Sequence, residues 1–377
     1  MVLSRTCFSR YLAARYHTHN SFSTMSVQKS KPHELRTATE PRQNSLYKLR
    51  VSQISQINPT IRLIQFNIIS GCDLPSGSKD NFESQPSLRF LPGQWLDVHI
   101  PNIKHAGGFT ITSTPQDAST QESINTTADE NDKRPPYVEL AVQYSPTNPA
   151  AKWFWQPTEQ ILDAHVKVRV GGGFVWPPPN GMALDKIRNV VFVAGGVGIN
   201  PLISMISYIY RTRSCLPSPT RIHFLYSTRI PLSSAPMNVA MPNETVDKMP
   251  FAAASKILFL DRLQHISRNW NQTENDINPL DVQLFLTNLP LANGEGNKVD
   301  VHPDILDTNS QITVHGRRIT AGDLRKAVGE NEELRSRTVC YVCGPPAMTD
   351  EFVKELKSFI INEDEEARGR VFYEKWW

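Results

Sequence analysis

Cysteine is sparse in this chain and poorly placed for cross-linking. Cys7, Cys72, Cys215, Cys340 and Cys343 are spread over 377 residues, and an odd, scattered set in a long chain excludes the dense pairing of a small secreted disulfide framework. Cys340 and Cys343 form one CxxC, with no second pair to complete a zinc ribbon and no run that matches an iron–sulfur domain. They lie in TVCYVCG, whose alternation predicts a strand, and residues three apart on a strand point to opposite faces. No metal site is therefore expected. A surplus of one charge is missing as well. The balance is 40 − 37 = +3, and residues 1–33 hold Arg5, Arg10, Arg15, Lys29 and Lys31 without an acid, leaving 35 − 37 = −2 for the rest. That excludes a polycationic nucleic-acid footprint on the body of the chain. Long uncharged runs are also scarce. The stretch Val190–Tyr210 contains Gly195, Gly196, Gly198, Asn200 and Pro201 at its centre, which suits a buried strand, a tight turn and a helix, not a membrane span.

What is present describes a globular protein. Apolar residues make up 39% and charged residues 20%, and the length predicts two domains with ample core. The acid-free start, with Val2, Leu3, Phe8, Tyr11 and Leu12 between its arginines, has the composition of a mitochondrial transit peptide. The expectation is a leader over residues 1–40 and a location in the mitochondrial matrix. A product begun at Met25 would lack most of the leader, and a cytoplasmic location is the alternative.

Residues 41–180 hold short alternating runs, among them YKLRVSQIS, IRLIQFN, YVELAVQYS and VKVRVGGGF, separated by polar loops at 71–88 and 116–134. That is the pattern of a small antiparallel barrel or sandwich. After Pro177-Pro178-Pro179 the texture changes. Apolar strands NVVFVA, RIHFLYS, DVQLFLTN, TVCYVCG and RVFYEKW alternate with helical segments over 181–377, which predicts a mostly parallel, doubly wound sheet. Thr320 to Asp323 reads as a capping box, and Phe352, Val353, Leu356, Phe359 and Ile360 form one helical stripe. The stretches near 230–250 and 288–312 read as loops.

Two turns carry most of the chemistry. VVFVAGGVGINP places Gly195, Gly196 and Gly198 between a buried strand and a helix, where bare backbone and free N–H groups approach a phosphate. Cys343-Gly344-Pro345-Pro346 again follows a strand and precedes a helix, with Thr349 as its expected cap. In a doubly wound sheet both turns lie at the carboxyl ends of strands, where ligands bind. Within the first half, Gly107 and Gly108 flank a strand start. Asn148-Pro149 reads as a cap and first helical residue, a candidate second anion site.

Taken in order, LPGQW, GGFTITSTP, VKVRVGGGF, AGGVGINP, CGPPAMTD and FYEKWW resemble the ferredoxin–NADP reductase superfamily, over roughly residues 45–377. The resemblance implies a six-stranded flavin-binding barrel followed by a doubly wound nucleotide-binding domain, with FAD and NADH as cofactors and NADPH as the alternative. It further implies that Gly107, Gly108, Phe109 and Thr110 stand at an R-x-Y-S/T segment whose arginine holds the flavin pyrophosphate, whose aromatic meets the flavin and whose hydroxyl lies near N5. This chain has glycine where that arginine belongs, an unconservative exchange at a phosphate; the backbone at Gly107 and Gly108, Lys104 and the Asn148 helix start remain as phosphate partners. Gly195, Gly196 and Gly198 would take the nucleotide pyrophosphate, Cys343 and Gly344 the nicotinamide. Glu374, with Trp376 and Trp377, would close the flavin side. Catalytic roles fall to Thr110, Cys343 and Glu374.

NADP-using members carry Ser-Arg where this chain has Thr287-Asn288, which favours NADH. The implied activity is hydride transfer from NAD(P)H to FAD, with electrons leaving to a separate acceptor. The alternative is a non-catalytic nucleotide-binding protein of the same fold that has lost tight flavin binding.

Overall fold

The computed structural model describes residues 31–69, 88–119, 135–212, 216–231, 254–270, 279–288, 311–360 and 369–375. The leader up to residue 30, most of the two polar loops, and Trp376 and Trp377 lie outside the described residues. Pro32–Trp377 form one compact unit.

The unit begins with a single helical turn, α1 (His33–Arg36). Six strands follow: β1 (Tyr47–Asn58), β2 (Ile61–Ile68), β3 (Trp95–His99), β4 (Gly107–Thr110), β5 (Tyr137–Gln143) and β6 (His165–Gly171), with α2 (Pro149–Phe154) and α3 (Thr158–Ile161) between the last two. They pair antiparallel in the order β4-β3-β6-β1-β2-β5. A bridge between Ile111 and Leu140 joins the outer strands and closes the sheet into a barrel. The period-two pattern explains the closure. Leu49, Val51, Leu96, Val98, Val138, Leu140, Val166 and Val168 all turn into one core, which Phe154 of α2 completes.

The second half runs β7 (Asn189–Gly195), α4 (Ile199–Arg211), β8 (Arg221–Thr228), α5 (Leu260–Trp270), β9 (Leu280–Leu286), β10 (Ile312–His315), α6 (Ala321–Val328), α7 (Glu332–Ser336), β11 (Thr338–Gly344), α8 (Pro346–Ile360) and β12 (Val371–Lys375). All strands are parallel, in the order β10-β9-β8-β7-β11-β12. Residues 190, 192 and 341 pack with α4 and α5 on one face; residues 191, 193 and 342 pack with α6 and α8 on the other. The sheet is doubly wound, as its strand–helix alternation predicts. Cys343 belongs to the first core and Cys340 to the second, so the CxxC thiols face opposite sides. Burial pushes the Cys340 thiol well above its ordinary pKa.

Local signals and structure differ in two places. α8 starts at Pro346, ahead of the expected cap Thr349, because proline fits the first helical position; Thr349 is buried and its Oγ1 donates to the Gly344 carbonyl at 3.2 Å. β10 begins at the end of a stretch read as loop, since four residues are too few to show a period.

The halves are clamped. Ser204 on α4 donates to the Ser113 carbonyl at 2.6 Å, and Arg211 reaches Thr114 at 2.8 Å and Asp117 at 2.7 Å. Arg262 on α5 donates to the Thr112 carbonyl at 3.1 Å and to Glu139 at 2.9 Å. Ile61, Ala141, Phe174 and Trp176 from the barrel side join the α4–α5 core.

The capping box of α6 is present: Thr320 Oγ1 accepts from the Asp323 amide, and Asp323 accepts from the Thr320 amide. Burial alone would raise the Asp323 pKa, but hydrogen bonds from Arg317 and Thr320 outweigh it and lower it to about 2. Thr320→Ala should cost about 1 kcal/mol in urea denaturation at neutral pH. Because the folded pKa lies below the unfolded 3.8, the stability Asp323 supplies is complete above that pH and is lost as pH falls toward 2. A gap between wild type and Asp323→Asn that stays constant over this range contradicts the assignment.

Candidate functional site

β7 delivers its chain to Gly195, the turn Gly196–Gly198 follows, and α4 begins at Ile199. Gly196 has φ +55° and nothing near the position a β-carbon would take; it is the open point of the turn, in a conformation L side chains avoid. Its neighbours are packed. A β-carbon at Gly198 would lie 2.2 Å from the Cys343 carbonyl oxygen, and one at Gly195 would lie 2.6 Å from the Met348 sulfur. One at Gly344 would lie 2.4 Å from Met348 Cε and 3.1 Å from Gly195 Cα. The two turns therefore interlock backbone to backbone. Register explains why: β7 and β11 are parallel neighbours with Ala194 opposite Cys343. β12 sets Glu374, which is half-buried, opposite Cys343 on the other side.

Gly195, Gly196, Gly198, Cys343, Gly344 and Glu374 are thus gathered at the carboxyl ends of three adjacent strands. An open glycine, a helix start and a bare second turn are parts that could hold a phosphate-bearing dinucleotide. Sequence reading missed Met348, whose side chain backs both Gly195 and Gly344; its signal is only its place in the first turn of α8. Asn288 has a structural task, accepting from the Ile230 amide at 2.8 Å and donating to the Ile230 carbonyl at 3.0 Å. Arg229 beside it is exposed. A cavity of ≈ 760 Å³ opens at the opposite, amino-end edge of the sheet, lined by Lys186, Arg188, Arg337 and Arg370, away from the cradle.

The barrel residues are placed differently. A β-carbon at Gly107 would lie 2.4 Å from Ala150 Cβ of α2, and one at Gly108 would lie 2.1–2.2 Å from the His33 ring. Phe109 is 8% exposed and meets Phe154 edge-on at 5.2 Å. Thr110 is 2% exposed. Asn148 caps α2 as expected, and its Oδ1 accepts from the Ala150 and Ala151 amides, so those two donors are committed within the protein. Lys104 is exposed. A flavin ring needs an open aromatic face and its phosphates need available donors. Among the described residues, both faces of β4 are packed against the chain's own groups, Ala150 on one side and His33 on the other.

No family model matches the chain. Oxidoreductase NAD-binding domain-containing protein 1 of Danio rerio is 28% identical over 364 residues, covering 94% of this chain and 100% of that protein. The reductase component of propane 2-monooxygenase from Rhodococcus jostii is 21% identical over 289 residues, and the match spans 76% of this chain but 55% of that protein. Among solved structures, flavohemoglobin from Malassezia yamatoensis with bound FAD and heme superposes with a TM-score of 0.51 at 11% identity, over 91% of this chain and 63% of that one. The chain shares the fold of that structure over the matched region. Within this fold, the turns after β7 and β11 interlock with Gly196 left open, and Gly107 and Gly108 of β4 are packed against Ala150 and His33.

Gly198→Ala tests the interlock. The added methyl meets backbone that cannot step aside, so stability should fall by about 1–3 kcal/mol and NADH should bind more weakly. An unchanged urea midpoint and unchanged NADH affinity contradict the packing.

Proposed function

We propose that the chain is a nicotinamide-nucleotide-binding protein built on the reductase fold, taking NADH at the paired turns after β7 and β11. The observation that carries this reading is the open, positive-φ Gly196 between two glycines packed against Cys343 and Met348. The pyrophosphate would lie along Gly196–Gly198 at the start of α4, and the nicotinamide beside Cys343 and Gly344, with Glu374 on the adjoining strand. NADH is favoured over NADPH because the Asn288 side chain is spent on the Ile230 backbone, where a 2′-phosphate would call for a free cation. Arg229, exposed nearby, is the residue through which NADPH would be accepted. The acid-free leader supports a mitochondrial matrix location.

A second reading is a flavin-dependent NAD(P)H oxidoreductase that delivers electrons to a separate acceptor, a protein or a small molecule. It is supported by the likeness to a reductase component and to an FAD-bound structure. It requires the β4 segment to be uncovered, whereas the first reading requires no rearrangement.

The absorption spectrum of the purified full chain, before and after NADH, separates the two. The first reading expects no flavin bands, NADH bound with a shift in nicotinamide fluorescence, and no NADH consumption. Flavin bands that bleach on adding NADH establish the second. Absence of any NADH binding overturns the first.

A further inference from the structure

The cavity at the amino ends of the second sheet is chemically distinct from the glycine turns. β7, β11 and β12 are parallel neighbours, so the segments that enter them converge on one edge. Each enters through an arginine: Arg188 before β7, Arg337 before β11 and Arg370 before β12. With Lys186 these three line a hollow of ≈ 760 Å³ in which Asp185 is the one acid among the described lining residues.

The walls are set by backbone contacts. The Arg188 amide donates to the Arg337 carbonyl at 3.0 Å, and the Cys340 amide donates to the Arg370 carbonyl at 2.9 Å. Asn180 holds the remaining side. Its Nδ2 donates to the Gly369 carbonyl at 3.0 Å, and its Oδ1 accepts from the Met182 amide at 3.3 Å. Met182 packs on the α4–α5 core and gives the hollow an apolar wall.

The positive charges are left largely uncompensated. Arg188 Nη1 donates to the carbonyls of Asp185 and Ile187 at 2.6 and 3.0 Å, which fixes the side chain without cancelling its charge. The carboxylate beside Arg337 is Glu333, at 3.7 Å and with its side chain 80% exposed, a pair that contributes little in water. Arg370 Nε is buried without a hydrogen-bond partner among the described residues, where a buried polar atom ordinarily has one. Cations held around one hollow repel one another, and walls of low dielectric concentrate their field. An anion between them relieves both.

We propose that this cavity binds a small polyanion, a molecule carrying two or more phosphate or carboxylate groups. Guanidinium forks match both groups. The volume lies within the range of small-molecule pockets, about 300–1,000 Å³, and walls converging from three strand entrances form a hollow where a protein partner would need a broad face. The site uses the same three strands as the glycine turns but at their other end, about 20 Å away along β7, and it does not rest on NADH binding.

Calorimetric titration of the full-length protein with pyrophosphate and with citrate tests it, with saturating NADH present so that the glycine turns are occupied. Wild type should bind one equivalent of at least one probe; pyrophosphate alone marks a phosphate site and citrate alone a carboxylate site. Arg337→Gln and Arg370→Gln should each weaken binding about tenfold, the loss expected for a charge-assisted hydrogen bond, with NADH affinity unchanged. Lys354→Gln removes an exposed charge on α8 outside the cavity and should leave binding as it is. Failure of wild type to bind either probe overturns the site, as does equal weakening by Lys354→Gln and Arg370→Gln. Anion binding that emerges only when Glu363, Asp364, Glu365 and Glu366, which precede Gly369 in the chain, are changed to glutamine also overturns it, because the cavity then serves the chain's own acids. A loss of NADH affinity in Arg370→Gln overturns a separate site. If wild type binds no NADH, the proposed function fails, while pyrophosphate binding that responds to Arg370→Gln and not to Gly198→Ala still supports the cavity.

Discussion

Everything at the carboxyl edge of the second sheet depends on one close approach: the backbone of Gly198 against the carbonyl of Cys343. That contact exists only because β7 and β11 are parallel neighbours in a register that sets Ala194 beside Cys343. It leaves no room for a side chain at Gly195, Gly198 or Gly344, where Met348 and the facing backbone fill the space. Gly196 alone faces outward. Packing thus converts two unremarkable turns into a rigid rim with one open point, and a rim of bare backbone beside a helix start is what a dinucleotide phosphate needs.

The same sheet is fastened to a barrel that is differently equipped. Arg211 and Arg262 tie α4 and α5 to Asp117, Glu139 and the carbonyl of Thr112, so the two halves hold a fixed relation. On the barrel, α2 packs against Gly107 of β4 and the His33 ring packs against Gly108 on the other face. Both six-stranded sheets are complete, in the orders β4-β3-β6-β1-β2-β5 and β10-β9-β8-β7-β11-β12. Fold and site are separable here, as expected when chemistry resides in a handful of side chains set on a shared architecture.

Features written locally in the chain could be read from it. The α6 capping box, the Asn148-Pro149 helix start, the period-two barrel strands and the opposed CxxC thiols each depend on residues within a few positions of one another. The Gly195–Gly198 turn was legible for the same reason, and its juxtaposition with Cys343-Gly344 followed from the rule for parallel sheets. The packing of His33 and Arg42 on the barrel was not legible. His33 meets Gly108 and Asp97, and Arg42 meets Asp97, across more than fifty residues of chain, and a lone histidine, arginine or aspartate carries no periodic signal. Glycine at 107 read as a missing arginine; the structure shows the place of its side chain already taken by Ala150. α8 starts three residues ahead of the expected cap because proline can open a helix, and β10 was left unassigned because four residues do not establish a period.

The most direct test is hydrogen–deuterium exchange of the full-length protein with and without NADH. The account predicts slowed exchange at Gly196–Leu202 and at Gly344–Met348 together, with residues 32–42 and 107–110 unchanged. Protection confined to the barrel segment, or none at either turn, would contradict it.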